Sequence, residues 1–154
     1  MRRALFVPLV AVFGLLAVGC VMPPLPDPGP ELCAPGTFSA TGEEPCTPAP
    51  VGTFVDVEGA TSATPCPVGT FQDEEGQASC KAALPGTFVD VVGAASATFC
   101  PLGRFQPNAG AVECLLAPIG TYVDSIGAAV ATNCPVGTTT LFTGATSEDD
   151  CVEP

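Results

Sequence analysis

The chain has 154 residues, with 9 cysteines, 18 prolines, 17 glycines and neither histidine nor tryptophan. Arg2 and Arg3 lie in a segment expected to be removed, so the mature chain keeps Lys81 and Arg104 against sixteen acids, a formal charge of −14. That balance argues against nucleic acid, whose phosphates call for cations, and the missing histidine removes the commonest general base and the imidazole zinc ligand. With aromatics at 6% and so many Cys, Pro and Gly, a disulfide scaffold is expected in place of one large core.

The chain opens MRRALFVPLVAVFGLLAVGC: a basic head, an apolar run from Ala4 to Val18, then small residues and Cys20. This is the pattern of a secretory signal over residues 1–19. The ending Ala17-Val18-Gly19-Cys20 resembles a bacterial lipobox, which implies cleavage before Cys20 and acylation of that cysteine. Ordinary secretion and a retained transmembrane helix are the alternatives. Pro8 inside the run and the switch to prolines after Met22 argue against a retained helix. Setting Cys20 aside leaves eight cysteines, an even number suited to full pairing outside the cytoplasm. Residues 20–32, ending VMPPLPDPGPEL, read as a lipidated cysteine and an extended, semi-rigid tether at roughly 3.1 Å per residue.

From residue 33 the chain is periodic. Gly52, Gly69, Gly86, Gly103, Gly120 and Gly137 form one comb at a spacing of seventeen, and Gly59, Gly76, Gly93, Gly110, Gly127 and Gly144 form a second. Between the combs stand Phe54, Phe71, Phe88, Phe105 and Tyr122, with Thr139 in the last module. The opening module, Cys33 to Cys46, is one residue shorter. About seven modules therefore fill residues 33–151, leaving 152–154 as a tail, and such regularity indicates an array. Each module reads as a hairpin: a Gly lead-in, strand-favouring residues, a Gly where a turn needs positive φ, and a short return. No helical period is present, so the fold class is all-β, an elongated rod of stacked hairpins.

Four modules are bounded by cysteine: 33–46, 66–80, 100–114 and 134–151. The three between them carry alanine at both matching ends: Ala49 and Ala63, Ala83 and Ala97, Ala117 and Ala131. The simplest account is that the two ends of a module lie together, as bonded sulfurs or as two small side chains. It predicts Cys33–Cys46, Cys66–Cys80, Cys100–Cys114 and Cys134–Cys151, one choice among the 105 open to eight cysteines. The competing pairing, Cys46–Cys66 and onward, skips each alanine module and explains the paired alanines less well.

CPVGTFQDEEGQASC, followed by KAALPGTFVDVVGAASATFC and closing with CPVGTTTLFTGATSEDDC, resembles the ephrin-receptor-like cysteine-rich repeat over residues 33–151. The usual Cys-x-x-Cys between hairpins is altered at every junction, as in Cys46-Thr-Pro-Ala49 and Ala63-Thr-Pro-Cys66, with alanine at half of the expected cysteines. The resemblance implies a hairpin fold and an extracellular setting. It implies no enzymatic activity and no fixed ligand site.

Zinc is disfavoured because no two cysteines of the body stand closer than thirteen positions. Asp56, Asp90 and Asp124 recur every 34 residues and are the weak candidates for calcium, set against a shared solvated face. The aromatic row reads as the packing residue of each hairpin, and Arg104, where other modules have Thr, as a local contact with a carboxylate. No catalytic residue, cofactor or small-molecule substrate is expected. The expected function is a non-catalytic surface lipoprotein, exported and lipid-anchored at the bacterial outer membrane or cell surface, serving as a spacer, adhesion or protein-interaction module. Its partners are the membrane through the lipid and a protein or glycan of unknown identity. The alternative is a secreted or surface calcium-binding repeat protein.

Overall fold

A computed structural model describes residues 29–154. The signal over 1–19, Cys20 and most of the tether lie outside the described residues.

Seven antiparallel hairpins follow one another, each a separate two-stranded sheet. In chain order the pairs are β1 (Thr37–Phe38) with β2 (Thr47–Pro48), β3 (Thr53–Phe54) with β4 (Thr64–Pro65), and β5 (Thr70–Phe71) with β6 (Lys81–Ala82). Next come β7 (Thr87–Phe88) with β8 (Thr98–Phe99), β9 (Arg104–Phe105) with β10 (Leu115–Leu116), and β11 (Thr121–Tyr122) with β12 (Thr132–Asn133). The last pair, β13 (Thr139–Thr140) and β14 (Cys151–Val152), encloses a single 3-10 turn, Glu148–Asp150. The array reaches slightly past the ends expected from the repeat: Leu32 bridges to Glu43, and Val152 pairs with Thr139.

Every module begins with the same turn. In Pro50-Val51-Gly52-Thr53 the Thr53 N–H donates to the Pro50 carbonyl (3.1 Å), with Gly52 at φ +78°, the mark of a type II turn. The Thr53 hydroxyl donates to the same carbonyl (2.7 Å), and Thr37, Thr70, Thr87, Thr121 and Thr138 repeat this bond. Pairs of two residues are too short to stand alone. What holds them is a ladder between modules. The Gly52 N–H donates to the Gln72 carbonyl (2.7 Å), the Val55 N–H to Gln77 (3.0 Å), and the Gly76 N–H returns to Ala49 (2.8 Å). The same three bonds join the fourth module to the third, the fifth to the fourth and the sixth to the fifth.

The array is packed more closely than a single file of hairpins. A β-carbon on Gly52 would collide with the Gly93 carbonyl, and one on Gly86 with the Gly127 carbonyl, so each module touches the module two places on. Strands do not merge into one continuous sheet, and the stack is built from turns and loops.

Candidate functional site

The spine of the array is a column of small buried groups. Cys33, Ala49, Cys66, Ala83, Cys100 and Ala117 are all fully buried, whichever of the two residues stands there. Disulfides join Cys33 to Cys46, Cys66 to Cys80, Cys100 to Cys114 and Cys134 to Cys151, with Cα atoms 5.6–5.8 Å apart. That spacing is ordinary for a disulfide. Four such bonds suit an extracellular or exported setting.

The aromatics are not the most buried side chains: Phe54, Phe71, Phe88 and Phe105 are half-buried, and only Tyr122 is buried. The next residue fills the core instead. Val55, Val89 and Val123 occupy it in the alanine modules, and Gln72, Gln106 and Thr140 in the cysteine modules. A buried amide needs partners on both sides. Gln72 Nε2 donates to the Ser79 carbonyl (2.7 Å) and its Oε1 accepts the Glu74 N–H (3.1 Å). Gln106 does the same with Glu113 (2.8 Å) and Asn108 (3.1 Å). The signal in the sequence is the alternation of Val with a polar residue in step with Ala and Cys.

Asp56, Asp90 and Asp124 are all exposed, and no group of three Cys, Asp or Glu side chains able to hold a metal ion occurs among the described residues. Arg104 makes its contact with a backbone carbonyl: a guanidinium N–H donates to Cys114 (2.8 Å). Among the described residues no carboxylate pairs with it, because the guanidinium reaches across its own hairpin to the Cys114 carbonyl instead. Lys81 bonds Asp73 (2.6 Å) and lies 3.4 Å from Glu74. The hydrogen bond from Lys81 holds the Asp73 carboxyl below its ordinary range, and the bond to Asp73 raises Lys81. Burial raises the Tyr122 phenol, with the Glu148 and Asp124 charges adding to it.

The outer surface is aliphatic at the turns and acidic at the loops. Val51, Val68, Leu102 and Ile119 stand exposed at the second position of the turns of the second, third, fifth and sixth modules. A hollow of about 470 Å³ lies in the seventh module between Phe142, Thr140, Asp149 and Val152. It is open, with no converging set of buried polar groups.

The family model for the tyrosine-protein kinase ephrin type A/B receptor-like repeat matches residues 58–100, 86–134 and 112–151, more than half of the chain. The chain belongs to this family. No curated protein matches it. Ephrin-receptor-like cysteine-rich repeats are non-catalytic modules, and the array is of this disulfide-rich, extracellular type, consistent with an interaction or structural role.

Proposed function

We propose that the protein is a non-catalytic surface lipoprotein whose ephrin-receptor-like array works as a spacer and interaction module. The observation that carries this reading is the ladder between modules. Three backbone bonds fix each hairpin to the next through the sixth module, as Gly52 to Gln72, Val55 to Gln77 and Gly76 to Ala49 show, and two backbone bonds with one to the Thr140 hydroxyl fix the seventh, so the array is held as one body. A rigid array with an acidic skin projects a binding surface and stays soluble, and it favours cationic partners over anionic membranes. The basic head, the apolar run and Cys20 support a lipid anchor at the opposite end. Expression in a bacterial host with labelled palmitate tests the anchor. The label should enter the wild type and be lost in Cys20→Ala; equal labelling, or none in either, removes the lipoprotein reading. The calcium-binding alternative has only the exposed Asp series behind it. Calorimetric titration with calcium is expected to show no heat.

A further inference from the structure

Four of the seven modules are closed by a covalent bond and three are not, and the two kinds alternate. A pull along the chain therefore follows a fixed path. It enters each cysteine module at one sulfur and leaves at the other, so the 13, 14, 14 and 17 residue steps inside these staples cannot be drawn out. Between staples the load must run along the backbone of an alanine module. Those three segments, Cys46–Cys66, Cys80–Cys100 and Cys114–Cys134, are each twenty residue steps long. The repeat makes them equal.

The alanine modules have little to hold them from within. Their fully buried apolar side chains are Val55 with Ala49, Val89 with Ala83 and Val123 with Ala117. The rest of the hold is the ladder to their neighbours, which for the fourth module is Gly86 to Gln106 (2.7 Å), Val89 to Ala111 (3.0 Å) and Gly93 to Cys66 (2.8 Å). Drawing out that module breaks its own seams and its close approaches to the modules two places away, and parts the stapled modules on either side, which approach at Gly69 and Gly110. The stapled hairpins themselves survive, because their ends stay 5.6–5.8 Å apart whatever the load. In a stack whose contacts are all between near neighbours, such a break stays local.

We propose that under tension the array lengthens in three equal increments, one for each alanine module, while the four stapled modules stay closed and set the limit of extension. At about 3.5 Å per residue, each increment draws out at most about 70 Å of chain. With the staples added, Cys33 and Cys151 come no further apart than about 230 Å, against about 410 Å for the same chain without disulfides. When the load falls, each drawn-out segment lies between two hairpins that kept their shape, and these offer again the N–H and carbonyl groups of both seams. The device rests on the spacer reading for the source of the load; the lengthening itself needs neither the lipid nor a partner.

The test holds the exported chain, with Cys20→Ala, by peptide tags at its two ends in magnetic tweezers. The oxidised chain should lengthen in three releases of equal contour, each below about 70 Å, and shorten again when the force is lowered. A fifth staple should remove one of them. Ala83 and Ala97 hold the places of Cys66 and Cys80, since Thr98 pairs with Phe88 as Lys81 pairs with Phe71. Ala83→Cys with Ala97→Cys should therefore leave two full releases and cut the greatest length by about 40 Å. Ala49→Cys with Ala63→Cys is the second variant, and the one used is the one whose five bonds map correctly. A single release containing all three segments, unequal releases, or no shortening at low force overturns the proposal on the wild type alone. So does a third full release in the five-staple variant. Palmitate labelling decides the anchor separately, so failure here leaves the surface-module reading standing.

Discussion

A buried glutamine is a costly choice unless both ends of its amide are bonded, and Gln72 and Gln106 meet that condition inside their own hairpins. Gln72→Ala removes the donor to Ser79 and the acceptor for Glu74, and should lower stability by about 1–3 kcal/mol in a urea melt. The Lys81–Asp73 pair is the opposite case. Because the folded-state pKa of Asp73 is lowered, its contribution is present above the ordinary carboxylate range and is lost as the pH falls through the lowered value. Because that of Lys81 is raised, its contribution is lost only as the pH climbs past the ordinary lysine range. Both side chains are exposed, so Asp73→Asn should leave the melting midpoint at neutral pH and low salt unchanged within error. The glutamines were the residues hardest to find from sequence. They sit beside the conspicuous aromatics, and an amide next to Asp73 or Pro107 looks like loop surface until its hydrogen bonds are known.

The hairpin depends on two kinds of glycine, which substitution should separate. Gly86 has φ +83° and lies against the Gly127 carbonyl, whereas Gly110 has φ +73° and nothing within 4 Å of where a β-carbon would stand. Gly110→Ala should cost only the left-handed backbone penalty, about 1–2 kcal/mol. Gly86→Ala adds a collision with backbone and should cost clearly more, as read by comparing the two urea midpoints. The turns themselves were legible, because a regular comb of glycine beside Pro and Thr has few other uses. The contact between modules two places apart was not, since it is made by backbone atoms and leaves no side-chain pattern except the glycine that permits it.

Across the whole array, alternating disulfides and alanine pairs occupy equivalent places on one spine. The double variant Cys100→Ala, Cys114→Ala should lose about 3 kcal/mol, the worth of closing a loop of this size, yet keep the hairpin, as the alanine modules do. Reduction of all four bonds should unfold alanine and cysteine modules together in a hydrogen-exchange experiment, because the ladder ties each to its neighbours. The pattern of paired ends could be seen in the alanines that replace cysteines two at a time. The bridge from Leu32 to Glu43 could not, because it rests on ordinary residues whose bonds depend on the three-dimensional course of the chain. That coupling of Val with Ala and of amide with sulfur sets the step by which such a protein changes length. Excising residues 83–116 rejoins like with like and leaves a shorter protein with every seam intact, whereas removing 83–99 alone sets two sulfur-bearing units side by side. Shortening by two units thus keeps this chain's alternation, and shortening by one breaks it.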